Sequence, residues 1–533
     1  MREAVYCLLR SLVVTWQVKG AGAVRPARGG ELTRRETDRE PRKRMKRLRW
    51  VIGTPYFVQG TTSLTEIPIL YFIKFVLGMG DAGGQLFDAL RQLGWFVKPL
   101  WGLISDKVPL LGYHRKSWYV LMALLASASW TLNALLAFAG LEVPLAYLVG
   151  FNLAFAAYAF VDVVCDALMV THGRRLGRVG SLVNFQWAVL GIANAASVYL
   201  GGWLQGRIQS GDIEPWVVFL LTGVPPLATA AAGLWLIDEE RVTPAPGPGG
   251  GAPRLRRARE AAAGLFRRLR QARARFRSFR RRNRPIWLLV LFIFFWRFSP
   301  SVGFIERSYL IDVRGFTPES FGVILAAGGL AFLASVLVYA WTVERFTSVE
   351  WHHYLYAMVA LGVAAFPLSF YLYLDPGHPW WGFLEFHVPA WLDPLPHWNR
   401  YQWFRLAFQT LLGFATIPAF IIPLTIAGET VEVAYAGVGY AFLMSLSNVT
   451  NMFEGVVGAG LYDLLSSPSF SWVLQGFGRT PLNIAGVEDP RTLALQLFVY
   501  ISLLFTLLTI PFIEMLRREL EQRGIPIRLG GGA

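Results

Sequence analysis

Long apolar runs separated by short polar segments dominate the chain from about residue 50 to about residue 515. A helix needs about 20 mainly apolar residues to cross a bilayer, and lipid tolerates no unpaired backbone polar groups, so such runs predict transmembrane helices. The predicted spans are 51–77, 84–105, 117–139, 143–170, 180–204, 215–237, 285–311, 318–342, 350–374, 401–427, 434–463 and 492–516. The pattern therefore predicts an all-α polytopic membrane protein with twelve transmembrane helices in two six-helix halves.

The positions of Lys and Arg predict which side of the membrane each loop faces, because cytoplasmic segments are enriched in these residues. With both chain ends inside, the inner segments hold 40 of the 51 Lys and Arg residues, and the outer loops hold five. This asymmetry predicts cytoplasmic termini and a multi-pass protein of the cell (inner) membrane. It also accounts for the net charge of +16, so nucleic-acid binding is not expected.

Five segments follow from the apolar and basic patterns. They are a basic and disordered extension (1–49), the N-terminal half (50–237), a cytoplasmic Arg-rich linker (238–284), the C-terminal half (285–516) and a cytoplasmic tail (517–533). In the linker, Leu265, Phe266 and Leu269 belong to an apolar pattern with steps of three to four residues. This pattern is typical of an amphipathic helix on anionic membrane lipids, and a solvated linker is the alternative.

A shift of 238 positions lays residues 101–107 over residues 339–345, with the aromatic residue, the acid and the base coinciding. Two similar halves are typical of transporters, which hold their substrate between the halves near the bilayer midplane. The matched turns lie at the membrane surface, so gating roles are expected for the charged residues in and around them. These residues are Lys98, Asp106, Arg115, Lys116, Glu344 and Arg345.

Several segments resemble one known family. The turn at Asp106, with Lys98-Pro99 before it and Gly112-Tyr113 after it, is similar to the helix 2 to helix 3 signature of the major facilitator superfamily. Its longer form is similar to the folate/biopterin transporter family, as are residues 56–60, 162–167, 180–187, 316–318 and 444–448. The resemblance implies the major facilitator fold and a secondary transporter that moves folate- or pterin-like organic anions by alternating access with proton coupling.

Ionisable residues inside predicted spans are functional candidates, because a charge in the bilayer core costs several kcal/mol. Asp162 and Asp166 lie four positions apart and therefore share one helix face. Two carboxylates this close repel each other, which favours protonation of one of them and predicts a proton-coupling role. For Asp166, pairing with Arg115 as a gate latch is the alternative.

The predicted substrate site combines charged and neutral polar residues from several spans. Arg297 carries a guanidinium suited to carboxylates, and an internal ion pair with Glu66 or Glu454 is its alternative role. The full predicted set is Gln59, Glu66, Asp162, Gln186, Arg297, Asn448, Asn451 and Glu454.

The expected partners are a small organic anion and protons, and the protein is expected to act as a monomer without a cofactor or metal. Cys7 and Cys165 lie in unrelated contexts, and a Walker-type Lys motif is absent from the sequence. A transporter for a different organic anion or drug, a membrane sensor or assembly factor, and a membrane enzyme using His352-His353 are the alternatives.

Overall fold

The computed structural model describes residues 34–175, 179–241, 284–345, 349–383, 398–430 and 436–524. The predictions for residues 1–33 and for the Arg-rich linker from 242 to 283 lie outside the described residues. Within the described ranges the chain is nearly all helical, and one isolated bridge joins Leu110 and Tyr113.

Nine helices make up the described part of the N-terminal half. They are α1 (Arg34–Thr61), α2 (Glu66–Tyr71), α3 (Asp81–Leu90), α4 (Lys98–Lys107), α5 (Lys116–Phe138), α6 (Pro144–Arg175), α7 (Val179–Gln209), α8 (Pro215–Gly223) and α9 (Pro225–Leu236). The described part of the C-terminal half contains eight more. They are α10 (Arg284–Arg297), α11 (Gly303–Arg314), α12 (Pro318–Arg345), α13 (Trp351–Ala365), α14 (Arg400–Thr430), α15 (Ala436–Ser466), α16 (Ser471–Gly478) and α17 (Pro490–Gln522).

Each predicted span overlaps one of these helices or a consecutive pair of them. Seven helical stretches of the described chain are long and apolar enough to cross a membrane. The all-α membrane fold is thus confirmed, while the count of twelve crossings stays a prediction. The first helix begins at Arg34 rather than near residue 50, because Arg, Lys and Glu are good helix formers and extend it past the apolar run.

The first span of each half is interrupted at a corresponding place. A 3₁₀ turn at Thr62–Thr65 separates α1 from α2, and residues 298–302 separate α10 from α11. The interval of 238 residues that relates the two predicted repeats places 62–65 on 300–303. Paired interruptions of this kind are the strongest structural pointer to the binding region of a membrane transporter.

A third interruption divides the second span between α3 and α4. A Cβ atom at Gly94 would lie 2.2 Å from the backbone nitrogen of Ala156, so only glycine lets α6 approach this closely. The next helix begins at Lys98 with Pro99 in its first turn, a position where proline is favourable. The break therefore places a cation at the start of α4, in the middle of a predicted span.

Charged residues mark two opposite faces of the helical bundle. The Arg491 face is defined here by Asp81, Asp312 and Arg491, which lie together where α3 and α17 begin and α11 ends. The Glu239 face is defined by Asp106 and Glu239 near the ends of α4 and α9, at the other side of the bundle. The helices run between these faces, so α1 begins and α17 ends on the Glu239 side.

Apolar packing differs between the two faces. The largest core contains Phe72 and Phe87 from the N-terminal half together with Phe304 and Tyr309 from the C-terminal half. Two further cores lie toward the Glu239 face, and each contains residues of one half alone in the described part of the chain. Among the residues that the structure describes, the halves are therefore packed together at the Arg491 face and have separate cores toward the Glu239 face.

Candidate functional site

The carboxylate of Asp162 on α6 lies at the centre of a buried polar cluster in the N-terminal half. The Lys98 ammonium donates to Oδ2 of Asp162 at 2.5 Å, and the Gln59 side chain donates to Oδ1 at 3.0 Å. The side chain of Asp162 is 5% exposed and that of Lys98 is 13% exposed. The ammonium also lies 4.6 Å from the centroid of the Trp95 ring, which is close enough for a cation–π contact.

A second carboxylate joins this cluster one helical turn along α6. The Tyr56 hydroxyl donates to Oδ1 of Asp166 at 3.2 Å and accepts a hydrogen bond from the Gln186 amide at 3.0 Å. We call the group Tyr56, Gln59, Lys98, Asp162, Asp166 and Gln186 the Asp162 cluster. With both carboxylates ionised and one ammonium present, the cluster has one negative charge in excess, so it is suited to take up a proton.

Asp166 and Arg115, the predicted latch pair, contact other residues in the structure. Arg115 lies 3.8 Å from Asp106 and donates to the hydroxyl of Thr171 at 3.2 Å. Asp166 is instead hydrogen-bonded to Tyr56. In the described residues Asp166 and Arg115 therefore have different partners and do not pair with each other.

Glu66 lies in a different cluster, which crosses from one half to the other. Its carboxylate accepts from Arg307 of α11 at 2.7 Å and from Arg91 at 3.3 Å. Arg91 also donates to Asp88 at 2.7 Å, and Arg307 lies 3.8 Å from the same residue. This Glu66 cluster of two acids and two bases has balanced charges and ties α2 and α3 to α11.

A third cluster lies at the Arg491 face itself. The Lys74 ammonium and the Arg491 guanidinium both donate to Asp312 at 2.8 Å, and Arg491 also lies 2.8 Å from Asp81. Ser308 accepts hydrogen bonds from both cations, at 2.7 Å from Lys74 and 2.9 Å from Arg491. Lys74, Asp81, Asp312 and Arg491 form the Arg491 cluster, which again joins the two halves with balanced charges.

The other predicted gate residues of the N-terminal half lie at the Glu239 face. The Glu239 carboxylate accepts from the backbone N–H groups of His114, Arg115 and Lys116, at 3.0, 3.1 and 2.8 Å. This contact fixes the turn after α4 to the end of α9. The sequence did not predict that Glu239 holds this turn, because its partners are backbone groups more than 120 residues away along the chain.

The remaining predicted residues belong to the C-terminal half. The side chains of Arg297, Glu344 and Arg345 lie outside the described residues, although all three belong to the helices α10 and α12. Asn448, Asn451 and Glu454 lie along α15, and the Glu454 carbonyl accepts from the backbone N–H of Ser301 at 2.9 Å. This contact places α15 beside the interruption between α10 and α11.

The sequence contained one unused signal for the Arg491 cluster. Lys74 and Asp312 are separated by 238 positions, the interval of the internal repeat, and they form an ion pair. Opposite charges at repeat-related positions therefore predict a contact between the two halves.

Comparisons with known proteins agree with the resemblance. A "Folate-biopterin transporter" from Synechocystis sp. is 26% identical over 476 residues, which cover 86% of this chain and 80% of that protein. "Folate transporter 1" from Plasmodium falciparum is 24% identical over 188 residues, covering 35% of this chain and 36% of that protein.

Solved structures share the fold at low sequence identity. A D-xylose-proton symporter matches with a TM-score of 0.59 and 11% identity, covering 91% of this chain and 99% of its own. A proton dependent oligopeptide transporter matches with a TM-score of 0.54 and 14% identity, covering 89% and 99%. These matches confirm the major facilitator fold.

The BT1 family profile matches residues 59–362, which is more than half of the chain. Its relatives are transporters, so the enzyme alternative is excluded. The chain belongs to the BT1 family and is a multi-pass membrane transporter.

Proposed function

We propose that this protein is a secondary transporter that moves folate- or pterin-like organic anions across the cell membrane by alternating access, coupled to protons. The observation that carries the substrate class is the similarity to a folate-biopterin transporter along 86% of this chain. The expected partners are therefore a small organic anion and protons.

Alternating access is supported by the difference between the two faces. At the Arg491 face one apolar core and two ion-pair clusters join the halves, whereas separate cores support each half toward the Glu239 face. Packed cores move as rigid bodies, so a rocking motion of the halves would open one face as it closes the other. The conformation described here is thus suited to release or loading at the Glu239 face.

Proton coupling is supported by the Asp162 cluster. It holds two carboxylates and one ammonium in the middle of the span, with low exposure of Asp162 and Lys98. A buried excess charge is unfavourable, and uptake of one proton removes it. Asp162 and Asp166 are therefore the proposed coupling residues.

Gln59, Gln186, Asn448, Asn451, Glu454 and Arg297 remain the proposed substrate contacts. Glu66 would reach a substrate only after releasing Arg91 and Arg307, so its ion pairs favour closure of the Arg491 face. The asymmetry of Lys and Arg supports cytoplasmic termini, which would make the Glu239 face the cytoplasmic one.

Uptake into liposomes containing the purified full-length protein tests this proposal. Labelled folate and labelled pterin are supplied with and without an imposed pH gradient. We expect saturable uptake of at least one compound and accumulation that increases with the gradient. If the protein neither binds nor takes up either compound, the substrate class is refuted. If uptake does not change with the pH gradient, proton coupling is refuted.

A further inference from the structure

We propose that Lys98 binds the carboxylate of an anionic cargo, and that it becomes free to do so when Asp162 takes up a proton. This inference rests on the proposed function and assigns a substrate-binding role to a residue that the sequence placed at the gate. No covalent step is involved: the proton goes to the Asp162 carboxylate, Lys98 stays an ammonium, and the cargo carboxylate replaces Asp162 as its partner.

The geometry makes the exchange direct. Lys98 and Asp162 share one hydrogen bond at 2.5 Å, and both side chains are largely shielded from solvent. An ammonium without an anionic partner in such a place is strongly unfavourable. Lys98 therefore keeps Asp162 when the site is empty. Once Asp162 is neutral, Lys98 lacks a directly bonded anion among the described residues, because Asp166 is hydrogen-bonded to Tyr56 instead.

The charges of the surrounding groups favour the entry of one proton together with one cargo carboxylate. In the described residues, the titratable groups that face Asp162 are Tyr56 of α1, Lys98 of α4, and Cys165 and Asp166 of α6. Two other polar side chains of the cluster are neutral. They are Gln59 on α1, which donates to Asp162, and Gln186 on α7. Adding one proton and one cargo carboxylate leaves the total charge unchanged, whereas adding either alone changes it.

Two features keep the ammonium in place during the exchange. Lys98 begins α4 directly after the break in the second span, so its backbone is fixed by the close approach of Gly94 to α6. The Trp95 ring gives the ammonium a second favourable contact, at 4.6 Å, that does not depend on Asp162. Lys98 can therefore change its anionic partner with little movement.

The proposal predicts a difference between two classes of cargo. Folate carries carboxylates on its glutamate tail, whereas an unconjugated pterin carries none. Loss of the Lys98 charge should therefore weaken transport of folate and leave transport of an uncharged pterin unchanged.

Counterflow of both compounds in liposomes, at acidic and neutral pH, tests the assignment. For Lys98→Gln we expect the folate concentration for half-maximal counterflow to rise about tenfold or more, with the value for pterin unchanged. For Asp162→Asn we expect folate counterflow that depends on pH less than in the wild type, since Asp166 remains. Exposed Lys46→Gln, which removes the same charge elsewhere, serves as the matched control and should behave as the wild type.

The outcomes separate this inference from the proposed function. Equal losses of folate and pterin in Lys98→Gln, or folate counterflow in Asp162→Asn that depends on pH as strongly as in the wild type, overturn the role of Lys98 while the wild type still transports. A wild type that carries neither compound overturns the proposed function and the inference with it. If a single variant does not fold, Lys98→Gln/Asp162→Asn leaves neither partner unpaired. It should carry pterin like the wild type and show the same weakened folate counterflow as expected for Lys98→Gln.

Discussion

The Asp162 cluster and the Arg491 cluster each contain one lysine and two aspartates, but they join different parts of the molecule. Every member of the Asp162 cluster belongs to the N-terminal half, whereas the Arg491 cluster pairs Lys74 and Asp81 with Asp312 and Arg491 of the other half. A rigid-body movement of the halves would leave the first cluster intact and must break the second. Local chemistry and gating are thus assigned to separate groups of charges.

The largest effect is expected from charge reversal in the Arg491 cluster. In Arg491→Asp, the carboxylates of Asp81 and Asp312 would face a third acid, and Lys74 alone would balance them. Breaking a partly buried ion-pair network costs about 3 kcal/mol or more, so we expect uptake to fall at least about tenfold. Initial rates of folate uptake in liposomes measure this change.

The double variant Asp81→Arg/Arg491→Asp restores the charge balance and should recover most of the uptake. Arg479→Asp changes the net charge equally at an exposed position outside the cluster and should have little effect. Equal losses in Arg479→Asp and Arg491→Asp would show that overall charge, and not contact between the halves, controls uptake.

A smaller effect is expected from steric separation of the halves without any change of charge. A Cβ atom at Gly202 of α7 would lie 2.6 Å from the carbonyl oxygen of Pro318 at the start of α12. Gly202→Leu should therefore push these helices apart near the Arg491 face and reduce uptake several-fold. Gly460→Leu is the matched control, because a Cβ atom there meets no neighbour within 4 Å.

The uptake rates of Gly202→Leu and Gly460→Leu are each compared with the wild-type rate, at equal amounts of protein in the liposomes. The difference between the two variants measures the effect of the contact between α7 and α12. Indistinguishable rates would mean that close packing at Gly202 is not needed for closure of the Arg491 face.

The smallest effect is expected inside the Asp162 cluster, from removal of one neutral hydroxyl. Tyr56→Phe removes the hydrogen bonds to Asp166 and from Gln186. A lost buried hydrogen bond costs about 1 kcal/mol, so we expect a melting temperature a few degrees lower and a modest loss of pH-driven uptake. Tyr199→Phe changes an exposed tyrosine and should leave both quantities unchanged; a larger loss there than in Tyr56→Phe would contradict the prediction.

Much of the fold could be predicted because lipid restricts the possible structures. Apolar runs long enough to cross a bilayer must be helical, so hydropathy located the long helices between 51 and 516 but not the short helix α16. It could not locate the breaks at 62–65 and 91–97, because residues such as Thr, Ser and Gln also occur within helices, and the second break depends on the close approach of Gly94 to α6. The start of α1 was also missed, since charged residues continue the helix.

The candidate site was predictable in part for the same reason. Gln59, Asp162, Asp166 and Gln186 are polar residues in apolar spans, and the structure brings all four into one cluster. Lys98 was assigned to the surface turn because only the break before α4 places it beside Asp162. The Arg491 cluster depends on residues as far apart as 81 and 491, for which one sequence offers no pairing rule.

The pairing of Lys74 with Asp312 has a consequence for how the sequences of the two halves can relate to each other. Repeat-related positions that touch lie close to the pseudo-twofold axis between the halves. In a symmetric dimer of two identical half-length chains, such a position would meet its own copy and bring like charges together. An attractive contact between such positions therefore requires that the two halves differ in sequence there, as they do at Lys74 and Asp312.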